Sequence, residues 1–428
     1  MIKILELDKI GKDAVFARVT PEFDVEKTVS AIIKNVKENG DSAIFKYCEE
    51  FDKVKLSSLE VNDVEFEEAV SKTEPEFIEI LKKAAKNIEK FHKKQVRNSF
   101  IINDENGVVI GQKVIPLDIV GLYVPGGTAA YPSSVLMNAI PAKIAGCKKI
   151  VITTPPDKNG NINPAILTAA RLAGVDKVYK VGGAQAIAAL AFGTETIPKA
   201  DKIVGPGNAF VAEAKKQVFG NVAIDMIAGP SEILIVADGT SNPCHLAADL
   251  LSQAEHDKLA SAVLITDSIE LAKGVQAETD RQVKLLERRE IAEASIENNG
   301  KIIVCGSLES AIELSNELAP EHLELSVDNP FDYLDRIRHA GSVFMGKNCP
   351  EALGDYFAGT NHTLPTSGTA RFSSPLSVDD FVKKSQYTYY TKDALKKVAR
   401  DVEYFAKKEG LTAHAKSAVI RIEDKKSE

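Results

Sequence analysis

From residue 119 onward the chain repeats one pattern: a short run rich in Val and Ile, a glycine turn, then a helical stretch. The run 119–124 leads to Pro125-Gly126-Gly127, and a helix opens near Pro132. The run 149–153 leads through a loop to a helix from Pro164, 178–181 leads to Gly182-Gly183, and 202–204 leads to Gly205-Pro206-Gly207 and another helix. Past Ser231-Glu232 the alternation resumes with strands expected at 233–236, 262–266 and 302–305, and a helix from Leu308 that ends at Ala319-Pro320. Strands joined through helices run parallel, because only a long crossover returns the chain to the same end of a sheet. The pattern therefore predicts an α/β fold with parallel sheets and excludes all-helical and all-β architectures. A chain of 428 residues is too long for a single core, so two or three domains are expected.

The flanking regions read differently. Val25, Val29, Ile32, Ile33 and Val36 keep helical spacing, and Asn39-Gly40 supplies a stop. A later helix carries Ile78, Leu81, Ala85, Ile88 and Phe91 on one face, with His92 beside it expected as an ordinary surface histidine. Phe100-Ile101-Ile102 and Val108-Val109-Ile110 flank Asn106-Gly107, which predicts a hairpin. Residues 268–296 read as one heavily charged, solvated helix. Residues 350–378, rich in Gly, Pro and small polar side chains, read as a long loop, and loops of that length inside a domain are more often functional than idle. The tail reads as helix from Lys392 to Lys408, turns at Glu409-Gly410 and restarts at Leu411.

Charge and cysteine usage exclude several classes. The net charge of -8 with no basic tract argues against nucleic acid as a partner. No apolar run is long enough to cross a bilayer, and the start MIKILELDKI lacks the apolar core of a signal peptide, so no membrane association is expected. Five scattered cysteines form neither a disulfide framework nor a thiolate zinc cluster, which points to a reducing cytoplasm.

Candidate chemistry gathers in a few polar clusters. In Leu250–Asp257, expected on a helix capped by Asn242, Gln253 and His256 are three residues apart and leave on neighbouring sites of one face. An amide oxygen and an imidazole make half of a metal site built from nitrogen and oxygen ligands; the alternative is a solvated helix end. Glu321-His322 follow the end of a helix at once, just before a strand at 323–325, where side chains are exposed and positioned. The glycine turns at the sheet's carboxyl edge either suit a phosphate-bearing ligand or only close short turns. The dinucleotide fingerprint is absent, since Phe210 stands where the third glycine belongs, so a dinucleotide would be held unconventionally and loosely. Cys147 and Cys305 end apolar segments and are read as packing residues, which disfavours a thiol-based aldehyde oxidation.

Taken in order, the segments GLYVPGG from 121, GGAQAIAAL from 182, GPGNAFV from 205, AGPSE from 228, LLSQAEHD from 250, APEHLEL from 319, GDY with GTNHTLPT from 354, and EGLTAH from 409 resemble histidinol dehydrogenases nearly end to end. The resemblance implies oxidation of L-histidinol to L-histidine through L-histidinaldehyde, in two successive hydride transfers to NAD, with one zinc ion per subunit, at the end of histidine biosynthesis. It implies Gln253, His256, Asp355 and His414 as zinc ligands and Glu321 and His322 as the acid–base pair. Ser231 and Glu409 would join these six around the substrate, and Tyr123, Gln185 and Asn208 would line the cofactor groove. It also implies a homodimer whose tails cross over, so that Glu409 and His414 serve the partner's site.

The expected fold is two Rossmann-like parallel-sheet domains without the dinucleotide fingerprint, plus a small helical tail. The division is an N-terminal arm at 1–20, domain 1 in two parts at 21–118 and 233–378, a cofactor-side domain 2 at 119–232, and the tail at 379–428. Two rival readings stand beside this one: a metal-dependent hydrolase acting on a small nitrogenous substrate without NAD, and a non-catalytic binding protein with a structural metal.

Overall fold

The computed structural model describes residues 1–11, 15, 17, 25–104, 106–126 and 130–423; Gly127 of the first glycine turn and residues 21–24 lie outside them. In chain order, β1 (Lys3–Glu6) is followed by helices Glu26–Tyr47, Asp63–Lys72 and Pro75–His92, then β2 (Phe100–Asp104) and β3 (Val108–Pro116). Next come β4 (Ile119–Tyr123), helix Pro132–Ala145, β5 (Lys149–Thr154), helix Pro164–Ala173, β6 (Lys177–Lys180), helix Gly183–Phe192, β7 (Lys202–Val204), helix Ala209–Val218 and β8 (Ala223–Ile224). β9 (Glu232–Ala237), helix Pro243–Ala254, β10 (Ser261–Thr266), helices Ile269–Gln282 and Arg289–Asn299, β11 (Lys301–Val304) and helix Leu308–Leu318 follow. The chain closes with β12 (His322–Ser326), β13 (Ser342–Met345), the short helix Ala352–Tyr356, β14 (Val382–Tyr390) and helices Lys392–Lys408 and Thr412–Val419.

Two compact units result, one of Met1–Gln95 with Leu117–Phe381, the other of Val96–Pro116 with Val382–Glu428. The first holds two parallel sheets, as the alternation predicts. One has the order β6-β5-β4-β7-β8 and the other β1-β11-β10-β9-β12-β13. In each the chain winds outward from a central strand and then returns to its other side, which creates a switch point between β4 and β7 and another between β9 and β12.

Strand alternation divides each sheet between two cores. Ile150 and Ile152 of β5 pack with the helices at Pro132–Ala145 and Pro164–Ala173, while Val151 turns to those at Glu26–Tyr47 and Gly183–Phe192. Ile233 and Ile235 of β9 pack with helix Pro243–Ala254, while Leu234 and Val236 face helix Leu308–Leu318. Both faces of both sheets are therefore covered, which is why their strands read as near-continuous Val and Ile runs. Each such side chain taken fully out of water contributes about 1.5–3 kcal/mol.

Several local expectations are corrected. Asn39-Gly40 is a kink inside helix Glu26–Tyr47, not its end: Gly40 takes φ 52 and ψ -133, and a Cβ there would lie 2.2 Å from Glu195 Oε2. The charged stretch 268–296 is two helices, each with a buried stripe: Leu271, Ala272 and Val275 on the first, Ala292 and Ile296 on the second. His92 is fully buried: its Nδ1 lies 2.8 Å from the Ile88 carbonyl and its Nε2 lies 3.3 Å from Asn361 Nδ2. The region 350–378 contains a helical turn, Ala352–Tyr356, that carries Asp355.

The second unit contains the expected hairpin of β2 and β3, extended by β14 into a three-stranded antiparallel sheet. The tail is thus helical only from Lys392. The nine residues of β14 pair along β3 from Val382 opposite Pro116 to Tyr390 opposite Val108. Thr391 caps helix Lys392–Lys408, and Ala399, Ala418 and Val419 form a small core with helix Thr412–Val419. Glu409 and His414 are exposed in the single chain.

Candidate active site

Glu232, His322 and Gln253 meet at the amino-terminal edge of the six-stranded sheet. Glu232 opens β9 and His322 opens β12, which lie side by side with His322 opposite Ile233. Helix Pro243–Ala254 runs back antiparallel to β9, so its last turn brings Gln253 to the same edge. Asn242 caps the start of that helix, with its side chain accepting from Cys244 N, and Pro243 occupies the first turn. The helix ends at Ala254, and His256 stands in the turn beyond it, its N–H donating to the Gln253 carbonyl at 3.1 Å.

Glu321 and His322, expected as an acid–base pair, are positioned by an abrupt helix stop. Ala319 caps helix Leu308–Leu318 in the left-handed region at φ 48, and Pro320 cannot extend the helix, so the chain turns directly into Glu321 and β12. Glu321 Oε2 accepts from Glu232 N at 2.9 Å. Burial drives the Glu321 carboxyl well above the ordinary range, the Glu232 N–H opposes this, and the carboxyls of Glu232, Asp355 and Glu351 raise it further. His322 is buried, and its Nδ1 lies 2.8 Å from the Glu232 carbonyl oxygen. Burial pushes the imidazole down to about 4, with His256 and His362 adding to the effect. The ring is therefore neutral near pH 7. Its Nε2 has no hydrogen-bond partner among the described residues.

Glu351 and Asp355 face this nitrogen from one helical turn. Four residues apart, they share a side of the turn at Ala352–Tyr356. Glu351 Oε1 lies 3.7 Å from His322 Nε2 and, like both polar atoms of Gln253, is buried without a partner. Donor atoms of His322, Glu351 and Asp355 all lie within 4.8 Å of one another, close enough to share one cation. Burial, with Asp355 beside it, lifts Glu351 to about 8, and burial lifts Asp355 to about 6. Burial lowers the His256 pKa, and the Arg288 guanidinium and His362 lower it further. Beside these groups a carboxyl pair, half-buried Asp249 and buried Glu324, is likewise pushed upward by desolvation, Asp249 to about 6. Glu324 Oε1 accepts from Glu351 N at 2.7 Å, which ties the pair to the site.

The loop after the helical turn stitches this edge to the other sheet. His362 Nδ1 lies 3.6 Å from Asp355 Oδ1, and its Nε2 lies 3.3 Å from Ser134 Oγ, in the first turn of the helix that follows β4. Asn361 Nδ2 donates to the Met137 carbonyl at 2.7 Å, and Thr363 Oγ1 donates to Asn138 Oδ1 at 2.9 Å. On the other side Gly229 N donates to Thr366 Oγ1 at 2.7 Å, and Ser367 N donates to Glu232 Oε1 at 2.8 Å, so the turn holding Ser231 is fixed by the same loop.

The three residues expected in a cofactor groove lie at the carboxyl edge of the five-stranded sheet. Tyr123 ends β4, Gln185 is in the first turn after β6, and Asn208 follows the turn after β7, so Tyr123 and Asn208 flank the switch point between β4 and β7. The Tyr123 hydroxyl accepts from Gly183 N at 3.1 Å, and Asn208 Oδ1 accepts from Phe210 N and Val211 N. Gly205 admits no other residue: its φ is +118, and a Cβ would lie 2.1 Å from the Tyr123 carbonyl oxygen. A buried ion pair, Lys215 with Asp225, grips that glycine from both sides. Lys215 Nζ donates to its carbonyl at 2.9 Å, and Asp225 Oδ2 accepts from its N–H at 2.8 Å. A cavity of about 370 Å³ opens at the same edge, lined in part by Lys72, Gly126, Pro155, Pro156 and Asn163.

Sequence reasoning missed Glu351, His362, the Asp249–Glu324 pair and the Lys215–Asp225 clamp. A signal existed for Glu351: Pro350 followed by carboxylates at 351 and 355 is a helix start with two acids on one side. The cysteines behave as expected. Cys147 and Cys305 are buried, and burial pushes Cys147 up to about 11 and raises Cys305, so neither is poised as a thiolate. Among the described residues no helix is long and apolar enough to cross a membrane.

Comparison with known proteins gives the family. Residues 17–422 match the family model for histidinol dehydrogenase. A histidinol dehydrogenase of Clostridium acetobutylicum is 62% identical over 398 residues, 93% of this chain and 92% of its own length. One from Geobacillus kaustophilus is 56% identical over 422 residues, 98% of this chain and 99% of its own. The crystal structure of histidinol dehydrogenase from Elizabethkingia anophelis superposes with a TM-score of 0.93 at 42% identity, covering 98% of this chain and 97% of that one. The chain belongs to the histidinol dehydrogenase family and is an oxidoreductase.

Proposed function

We propose that this protein oxidises L-histidinol to L-histidine through L-histidinaldehyde, with NAD as hydride acceptor and one zinc ion per subunit, as the last steps of histidine biosynthesis in the cytoplasm. The observation that carries the reading is the His322 ring: its Nδ1 is committed to a carbonyl, it is neutral near pH 7, and its Nε2 is free toward the site. An alcohol gives up hydride only as its hydroxyl proton leaves, and a neutral imidazole nitrogen aimed at that proton is a fitting base. Glu321, beside the ring and held by Glu232 N, is the group to take a proton from the water that adds to the aldehyde. Ser231, in the turn that leads into β9, supports a place beside the substrate.

The donor set suits zinc. Gln253, His256 and Asp355 offer oxygen and nitrogen, a lowered pKa keeps His256 neutral as a ligand must be, and a buried amide without a partner fits a site made for a cation. When bound there, zinc supplies a fixed positive charge that anchors nitrogen donors of the substrate and lowers the surrounding carboxyl pKa values. NAD supplies the hydride acceptor, and Tyr123, Gln185 and Asn208 at the switch-point edge are the residues to hold it. The cavity at that edge has room for a nucleoside.

The remaining ligand, His414, and Glu409 come from the second unit. We assign them to a neighbouring subunit in a homodimer with exchanged tails. Phe100, Ile101, Ile102, Tyr389, Tyr404 and Phe405 of that unit are each more than half exposed in the single chain, more apolar surface than so small a unit leaves uncovered. The deciding experiment is NADH production from L-histidinol by the purified protein, with and without a chelator. A hydrolase would turn over its substrate with no NADH at all.

A further inference from the structure

Lys215 and Asp225 carry opposite charges, and each side chain is only 2% exposed. Taking such groups out of water is costly, and an apolar pair of similar volume commonly serves stability as well or better. Stability therefore does not account for them; their contacts do. Lys215 Nζ donates to the Gly205 carbonyl at 2.9 Å, and Gly205 N donates to Asp225 Oδ2 at 2.8 Å. Both polar groups of one glycine are thus held by charged side chains. The strand ladder has run out at this point: β7 ends at Val204, and Asp225 N donates to the Ile203 carbonyl at 3.2 Å just before it.

Gly205 sets the path of the turn that follows. Pro206 has its φ locked by its ring, and a Cβ on Gly207 would lie 2.4 Å from Val211 Cγ1, so Gly207 is packed on the next helix. Asn208 then caps that helix through Phe210 N and Val211 N. On its other side Gly205 rests against the Tyr123 carbonyl. The setting of Gly205 therefore fixes how far Asn208 stands from Tyr123 across the switch point. In the usual fingerprint the third glycine lets helix and strand pack closely. Phe210 stands in that place here, and Lys215, further along the same helix, ties the helix back to the strand end instead.

We propose that Lys215 and Asp225 are positioning residues for NAD: buried beneath the turn and touching no ligand, they hold Gly205 so that Tyr123 and Asn208 are spaced to receive the dinucleotide. This deepens the NAD reading of the switch-point edge and rests on it.

The test uses the full-length, zinc-loaded protein. KM is measured for NAD and for L-histidinol, NAD binding is measured by calorimetry with the product L-histidine present, and each variant is melted. Lys215→Met leaves Asp225 buried and unpaired, whereas Lys215→Met with Asp225→Asn removes both charges. The double variant should melt at or above the single one. Both should nevertheless weaken NAD roughly 10- to 100-fold, in KM and in calorimetry, with KM for histidinol unmoved, the scale of loss that misplacement produces. Lys202→Met removes a second buried lysine, at the opposite end of β7, where its Nζ lies 2.8 Å from Asp380 Oδ1; it should leave NAD binding at the wild-type value.

Recovery of NAD binding together with stability in the double variant would overturn the proposal and make the pair a support for the sheet. So would an equal rise in both KM values, or the same loss from Lys202→Met. Should the variants lacking Lys215 fail to fold, Asp225→Asn decides, since it keeps the shape and an acceptor for Gly205 N: a rise in KM for NAD alone upholds the role, and unchanged NAD binding refutes it. Wild type that neither binds NAD nor forms NADH would sink the cofactor reading and this proposal together. Wild-type turnover with NAD binding untouched in the variants would sink the proposal alone.

Discussion

The Nδ1 of His322 stands 2.8 Å from the backbone carbonyl oxygen of Glu232, and because a carbonyl only accepts, that nitrogen carries the ring's proton. The tautomer is thereby fixed, with the Nε2 lone pair turned toward Glu351. Glu321 is tied to the same residue through the Glu232 N–H, so one residue of β9 orients both members of the proposed acid–base pair. Distinct roles for the two predict distinct losses. His322→Asn should depress oxidation of the alcohol most, and Glu321→Gln should depress oxidation of supplied histidinaldehyde most, each by about 10²–10⁴-fold on its own step. Equal losses by both variants on both substrates would show the roles to be shared.

Removal of the metal should silence the enzyme without unfolding it. The four large apolar clusters of the first unit draw none of their members from Gln253, His256 or Asp355. A site of oxygen and nitrogen donors without thiolate also binds less tightly than a structural cysteine site. Chelation is expected to abolish NADH production while the far-ultraviolet circular dichroism stays native. Collapse of the dichroism on chelation would mean a structural metal instead.

NAD should bind weakly to the free enzyme and more tightly once histidinol is present. Phe210 replaces the third glycine of the usual fingerprint, and the side chains of Tyr123 and Asn208 already spend acceptor capacity on backbone N–H groups. Calorimetry with and without histidinol measures this. Tight binding of NAD to the free enzyme would refute it.

Tail exchange makes a quantitative prediction. With the proposed ligand set, His256→Asn and His414→Asn would each break every metal site in their own homodimer. If the tail of one chain serves the other, a mixed dimer collects both lesions in one site and leaves the second intact. Random pairing makes about half the dimers mixed, so co-refolding two inactive variants should restore up to about a quarter of wild-type activity. Demonstrated mixed dimers with no recovered activity would rule the exchange out.

Asp52 supplies a pH-dependent stability change away from the reaction. Burial pushes its carboxyl up to about 6, and Oδ2 has no partner among the described residues. An acid whose folded pKa is raised favours the fold only while protonated. Its contribution is complete below the ordinary value near 3.8 and is lost as pH rises through about 6. Asp52→Asn should therefore raise the melting temperature at pH 8, and the gain should vanish near pH 4. A gain independent of pH would place its origin elsewhere.

What the sequence determined by itself is the parallel α/β architecture and most of the polar residues that the first unit gathers at the candidate site. Strand-like runs, glycine turns and helix caps act over a few residues, so Pro132, Asn242, Ser307 and Thr391 mark helix starts wherever the chain finally packs. Glu321 and His322 were legible for the same reason, since the stop at Ala319-Pro320 is local. Tertiary structure alone decided which sheet edge carries the chemistry. The amino ends of β9 and β12 are adjacent only because the chain winds back past β9 after β11, and alternation along β12 then sends His322 and Glu324 toward helix Pro243–Ala254. His92 reads as a surface residue until Asn361, far along the chain, closes over it. β14 becomes a strand because β3 offers a free edge of N–H and C=O groups to pair with, and no feature of its own sequence names that partner. Pairing, register and burial join residues far apart in the chain, and local spacing carries no record of where the chain returns.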